Sequence, residues 1–409
     1  MVALDLPDLS LPKTIHSETE RASDRLEISK AAHRMLDQQT GTVHGDGVLR
    51  PGTPALEAFP SAIWARLAGR FWRDTPGIAL GYGDPAGDAR LREALSAYLA
   101  AFRGLDIAPE HLIITSGAQQ AIDLIARTIL EPGDTALVEE PCYPGLRGPL
   151  AAAGAELADA LVDEEGLNVH HAREKAPTAK LLTVTPTHQF PLGTTLSLPR
   201  RRALIDWARD PSGPWIVEDD YDGEFRYSGK PVPPLKALDG TGRVFYVGTM
   251  SKVLAPALRI GFIAAPPVVA ATLTKMRSHL DRQPPMDTQR ILALFLEEGH
   301  MGGHLRRMRT LYRERRDALA EALARKLDAE FSIEIPETGL SLIVDLPQHL
   351  PDRRVAEAGV RFDISPAALS GYYAGEQGRN GLLLGFANLP RSRANWAAEQ
   401  VERAVIAAS

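Results

Sequence analysis

The sequence predicts an α/β protein, a largely parallel sheet with helices on both faces, continued by a smaller α+β region. Two observations carry the prediction. Short apolar runs recur through the middle of the chain and alternate with helical stretches, the pattern of a parallel sheet buried on both sides. After about residue 300 the alternation gives way to one long charged helix and two further strand candidates. The 409 residues are 44% hydrophobic and 24% charged, enough for two domains with proper cores.

Taken in order, residues 1–50 are polar and read as an arm with one helix around "RLEISKAAHRMLDQQ". "LRPGTPALEAFP" is dense in Pro and Gly and marks a loop. In "AGDARLREALSAYLAAFRG" Leu91, Leu95, Tyr98, Leu99 and Phe102 recur at helical spacing, and Gly104 supplies the stop. Strands are predicted at "HLIIT" (111–115), "TALVE" (135–139), "KLLTV" (180–184), "WIVE" (215–218), "VFYVG" (244–248) and "IGFIA" (260–264), with helices such as "GAQQAIDLIARTIL" between them. The long helix "GGHLRRMRTLYRERRDALAEALARKLD" turns Leu305, Met308, Leu311, Tyr312, Leu319 and Leu323 inward, and "LSLIVDL" and "GLLLGFA" follow as strands. The expected division is an arm (1–50), a large domain (51–300) and a small domain (301–409).

A formal net charge of −6 argues against broad attraction to nucleic-acid backbones. The single cysteine, Cys142, excludes a disulfide or a thiolate metal cluster within one chain and fits a reducing compartment. Apolar stretches fall short of a bilayer span. The N-terminus has acidic residues where a signal peptide needs a basic start and an apolar core, so a cytoplasmic protein is expected.

Ligands of open parallel sheets bind beyond the carboxyl ends of the strands. After the first strand, "SGAQQ" (116–120) opens a helix, which suits a phosphate or simply a serine N-cap. After the second, "EPCYPG" brings Tyr143, either a ring-stacking or a core-lining tyrosine. "DDYDGEFRY" clusters Asp219, Asp220 and Asp222, as metal ligands, solvated acids or partners of a buried cation. "GTMSKVLAPALRIGF" holds Thr249, Ser251, Lys252 and Arg259. One cofactor uses all of these: a phosphate wants helix-start amides, hydroxyls and an arginine, an aromatic ring wants a stacking face, a protonated ring nitrogen wants a buried carboxylate, and an aldehyde wants an amine. That cofactor is pyridoxal 5′-phosphate.

With "YGDPAG", "TSGAQQAIDL", "TPTHQFPLG", "IVEDDYDGEFRY", "VGTMSKVLAPALRIGF" and "EEGHMGGHLRRMR" in this order, the chain resembles the fold-type I pyridoxal-phosphate enzymes of the aminotransferase class I/II group. Within that group it resembles the aminotransferase-like domain of MocR/GabR-type proteins, over roughly residues 50 to 405. The resemblance implies a mostly parallel seven-stranded sheet between helices, a smaller α+β C-terminal domain, and a homodimer acting on an amine or amino acid. It implies that Lys252 forms the Schiff base with the cofactor, Asp219 pairs with the pyridinium nitrogen, Tyr221 bonds the phenolic oxygen and Tyr143 stacks on the ring. Ser116, Gly117, Ala118, Gln119, Thr249, Ser251 and Arg259 would cradle the phosphate, and Tyr82 would reach across the dimer interface. Cations beside Lys252 are expected to lower its basicity.

Transamination is the default chemistry implied; elimination, replacement or carbon–carbon bond formation on the same cofactor is a second reading, and an amine-sensing effector domain a third. Three departures from the family pattern bear on these. The roughly 50 residues ahead of the resemblance lack the length and basic pattern of a winged-helix domain, which favours an enzyme over a regulator. Phe190 stands where an asparagine is usual, removing a donor to the phenolic oxygen. Leu383 aligns with the arginine that usually grips the substrate carboxylate, leaving Arg147, Arg282 and Arg391 as replacements. His188 is an acid–base candidate, His300 and His304 read as structural rather than metal-binding, and Cys142 as a packing residue near the cofactor.

Overall fold

The computed structural model describes residues 28–38, 44–75, 77, 81–229, 232–375 and 378–409. Strands β1 (Leu112–Thr115), β2 (Thr135–Glu140), β3 (Glu156–Asp163), β4 (Gly166–Leu167), β5 (Leu181–Val184), β6 (Trp215–Asp220), β7 (Val244–Thr249) and β8 (Gly261–Ala264) form one sheet. Its order is β1-β8-β7-β6-β5-β2-β3-β4. From β3 through β2, β5 and β6 to β7 every pairing is parallel, whereas β8 runs antiparallel to both β7 and β1. The seven strands implied by the resemblance are joined by an eighth, β4, two residues folded back on β3.

Every residue of β1, β5, β7 and β8 is buried, which is why each appears in the sequence as an unbroken apolar run. On one face of the sheet, Ile122 and Ile125 of helix Ala118–Ile129 and Leu273 of helix Pro267–Leu280 pack on Val138, Val217 and Val247. On the other, Leu204, Ile205 and Trp207 of helix Leu198–Arg209 cover Leu137, Leu182 and Ile216.

A second, antiparallel sheet has the order β11-β12-β10-β9, from β9 (Ser332–Glu334), β10 (Ser341–Asp345), β11 (Ala367–Ala368) and β12 (Gly381–Gly385). The 27-residue helix His300–Lys326 crosses beneath it and buries Leu305, Met308, Tyr312, Leu319 and Leu323, with Leu311 half-buried. These residues belong to one apolar core that extends from Leu91, Leu95 and Leu99 of helix Ala89–Arg103 to Leu342, Leu382 and Leu384 of the second sheet. Phe102, which shares the helical spacing of Leu91, Leu95 and Leu99, is partly exposed and packs on Tyr98.

The described part of the arm is helix Lys30–Leu36, capped by Ser29, and a strap that follows. The acidic stretch at residues 1–24 lies outside the described residues. Val48 and Leu49 form single bridges to Ile364 and Gly385, and the Gly47 amide donates to Ser365 Oγ. The strap thus runs along the second sheet and delivers Gly52 to the carboxyl edge of the first. No helix among the described residues is long and apolar enough to cross a membrane.

Candidate active site

The carboxyl ends of β1, β2, β5, β6 and β7 face the same edge of the large sheet, so the residues that follow them converge there. After β1, Gly117 takes φ 106°, a conformation open to glycine, and helix Ala118–Ile129 begins without a side-chain cap. Its first N–H groups remain available to an anion. Arg259, itself at φ 50° behind the turn Pro256–Leu258, donates from Nη2 to the Ser116 carbonyl at 2.5 Å. A methyl group on Gly117 would lie 3.1 Å from that guanidinium nitrogen, which measures how closely Arg259 covers the helix start. Thr249 caps the short helix Met250–Val253 by accepting from the Ser251 amide at 3.2 Å. A Cβ on Gly261 would sit 2.8 Å from Gly117 Cα and 3.0 Å from the Gly248 carbonyl, so the β1 and β7 ends meet backbone to backbone across β8.

Lys252 stands on that short helix, and its Nζ donates to the Gly52 carbonyl at 2.7 Å. Asp219, on β6, pairs in register with Val247 of β7. The Asp219 side chain is buried, and Oδ1 has no hydrogen-bond partner among the described residues. Burial raises its pKa to about 7; Asp220 and Asp222 push the same way and Lys252 opposes them. Burial also lowers the pKa of Lys252, against the pull of Asp222 and Asp219. Desolvation therefore leads, where neighbouring cations were expected to; Arg50 is the cation that contributes, as the smallest cause.

Pyridoxal 5′-phosphate fits these residues. An orphaned buried carboxylate oxygen asks for a donor such as a protonated ring nitrogen, and the uncapped helix start under Arg259 asks for a phosphate. Tyr143, partly exposed, is close enough to both Asp219 and Arg259 for each to bear on its hydroxyl. Gln119 packs beside it over Gly145. The Tyr143 ring meets Phe190 edge-on, and Phe190 meets Tyr221 and Tyr372 the same way.

The acidic cluster divides its roles. Asp220 forms a buried ion pair with Arg103 and accepts from the Tyr246 hydroxyl at 2.8 Å. Asp222 holds His188 Nδ1 at 2.9 Å, and the same nitrogen lies 2.9 Å from the Tyr221 hydroxyl. Asp219 faces the lysine side. His188 is thereby built into the support of Tyr221.

Other candidates lie elsewhere. Tyr82 is 85% exposed, with the Arg282 guanidinium 4.7 Å over its ring. Arg147 is paired with Glu140 and Asp159, and Arg391 is exposed in the turn Arg391–Arg393. His304 Nε2 bonds the Val253 carbonyl and His300 contacts Glu298 and Arg66. Cys142 is buried, which pushes its thiol up to about 12.

A cavity of about 180 Å³ opens between this edge and the second sheet, lined by Gly52, His188, Phe190, Tyr221, Ile343 and Leu383 among others. The sequence reading missed Gly52 and the Ile343 wall, because they reach the site from distant parts of the chain.

The sequence pattern of aminotransferase class I and II matches residues 55–362. The chain belongs to this family. It is 36% identical, over 88% of its length and 73% of the relative's, to the probable rhizopine catabolism regulatory protein MocR of Rhizobium meliloti. It is 32% identical to aromatic-amino-acid aminotransferase 1 of Thermococcus litoralis, over 84% of each chain. Among solved structures it is similar to the α-aminoadipate aminotransferase LysN of Thermus thermophilus, complexed with N-(5′-phosphopyridoxyl)-L-leucine, at a TM-score of 0.80 and 28% identity over 95% of this chain and 97% of that one. An archaeal alanine:glyoxylate aminotransferase gives 0.81 and 28% over 94% and 97%. The class I and II aminotransferase fold accounts for both sheets and for the edge on which the site is built.

Proposed function

We propose that the protein is a pyridoxal 5′-phosphate-dependent transferase that takes the amino group from a primary amine or amino acid, with Lys252 as the amine that carries the cofactor. One observation carries the reading: Asp219, buried with an unpartnered oxygen among the described residues, and the partly buried Lys252 bear on each other's charge at the ligand edge of the sheet. The cofactor supplies an electron sink for the substrate carbon that loses its proton. Asp219 would hold the ring nitrogen, Tyr143 would cover the ring, and Tyr221 would donate to the phenolic oxygen. Arg259, the amides of residues 116–119, Thr249 and Ser251 would hold the phosphate. Lys252 would take the proton from the substrate carbon that bears the nitrogen and deliver it on the opposite side of that nitrogen, so that the substrate carbon leaves as a carbonyl; its lowered basicity favours the neutral amine this needs. A homodimer belongs to the proposal, with the exposed Tyr82 turned to the neighbouring subunit's site, as does the division into domains 51–300 and 301–409.

A second reading, an amine-sensing domain that binds without turnover, is favoured by the regulators among the relatives. Incubating cofactor-loaded protein with a panel of amines and amino acids, then identifying cofactor and products by mass, separates the two. Recovery of the cofactor in its amine form with a released carbonyl compound supports the transferase. Spectral change with unaltered cofactor and ligand supports the sensor, and products without the amine form support elimination or bond formation.

A further inference from the structure

We infer that the cavity beside Lys252 takes a primary amine with an apolar body and no carboxylate on the carbon that bears the nitrogen. The inference rests on the proposed amino-group transfer and names its substrate class. The cavity adjoins the reacting lysine, because Gly52, which accepts from Lys252 Nζ, is part of its wall. The wall opposite is apolar. Ile343 and Leu383 are buried in one cluster with Leu369 and Tyr372, and Phe190 and Leu192 pack against it.

The charged groups that line the cavity are acids and a histidine. Asp222 is spent on His188, and Glu334 is spent on Arg379, which also bonds Asp345. No lysine or arginine of this chain is among the described lining residues. Arg50, which bears on the Lys252 amine, is turned to Asp46 at 2.8 Å.

A carboxylate entering here would give up its hydration against aliphatic side chains, with no lysine or arginine among the described lining residues of this chain to replace it. An alkylamine avoids that cost, and its body displaces water from the Phe190, Ile343 and Leu383 surfaces.

The test uses the full-length, cofactor-loaded protein and pairs of compounds that differ only by the carboxylate: isoamylamine against leucine, and n-butylamine against norvaline. Conversion of the cofactor is followed by its visible absorbance, and binding alone is titrated on cofactor-loaded Lys252→Ala. Each amine is expected to exceed its amino acid by roughly ten- to hundredfold in both efficiency of conversion and affinity. Equal or better performance of leucine and norvaline overturns the inference while leaving the transfer chemistry standing. If Arg50→Ala then abolishes their binding, the carboxylate site is identified and the inference is equally overturned. Failure of every compound to convert, on protein that has loaded its cofactor, overturns the transfer reading and this inference with it.

Discussion

His188 Nδ1 lies 2.9 Å from the hydroxyl oxygen of Tyr221. Asp222 holds the same nitrogen at 2.9 Å, so the carboxylate draws the Nδ1 proton toward itself and the Tyr221 oxygen sits on the accepting side. Burial and the nearby acids keep Tyr221 protonated far into the alkaline range, leaving its own proton to be donated forward. On the proposed reading, the pair would offset the donor lost where Phe190 stands in place of the usual asparagine. Substituting His188→Ala is expected to lower turnover about tenfold, on the scale of one hydrogen bond to a charged group. It should also shift the pH at which the bound cofactor's visible band changes. With Tyr221→Phe already present, His188→Ala should add little, since the two act as one unit; additive losses would separate them.

Asp219→Asn is expected to bind the cofactor but to turn over about a hundredfold or more slowly, the scale seen when one preorganised electrostatic group is removed. Its stability has a definite pH dependence. Asp219, Glu139 and Glu218 are each raised to about 7 by burial, so the folded, cofactor-free protein holds protons that the unfolded chain has released. Their stabilising effect is complete below the unfolded carboxylate range and is lost as pH rises toward and through about 7. Thermal melts of the cofactor-free protein between about pH 5 and 8 should therefore show a shallower decline for Asp219→Asn than for wild type. Parallel curves would remove Asp219 from this role.

Gly117→Ala tests the phosphate cradle. The added methyl falls 3.1 Å from Arg259 Nη2 at a φ of 106°, so both the backbone and the guanidinium must shift. Cofactor affinity should fall, measured by equilibrium dialysis, with little change in the melting profile of the cofactor-free protein relative to the loss of binding. Unchanged affinity would move the phosphate elsewhere.

Arg103 and Asp220 form a buried pair behind the site, their side chains 5% and 1% exposed. Removing one partner strands the other charge, so Arg103→Leu is expected to cost about 3–5 kcal/mol in denaturant unfolding. Tyr246 still donates to Asp220 and softens the loss toward the lower figure. A change under about 1 kcal/mol would mean the pair is hydrated.

One rule, that ligands gather beyond strand ends, made the candidate site legible in the sequence. Lys252, Tyr221, Tyr143 and the Ser116 turn follow β7, β6, β2 and β1, and Asp219 is the next-to-last residue of β6. Strand β3 escaped notice because it is only partly buried, and Glu156, Asp159 and Asp163 break its apolar run. Helix Ser61–Asp74 was hidden behind "PGTPALEAFP" because it turns just Leu67 and Phe71 fully inward. Strand alternation puts Asp219 and Asp220 on opposite faces, yet Arg103 and His188 as partners come from remote segments that no local pattern announces. Gly52 reaches Lys252 across 200 positions, a contact made by the strap along the second sheet. The long helix likewise contributes to a core shared with the large sheet, which a change in sequence pattern near residue 300 cannot reveal.

The most direct test of the account is chemical trapping of the cofactor-bearing residue. Cofactor-loaded protein is reduced with borohydride, digested and mapped by mass spectrometry. One phosphopyridoxyl group is expected on the peptide containing Lys252, with its disappearance together with the visible band in Lys252→Ala. A label on another lysine, or a loaded protein that carries none, would contradict it.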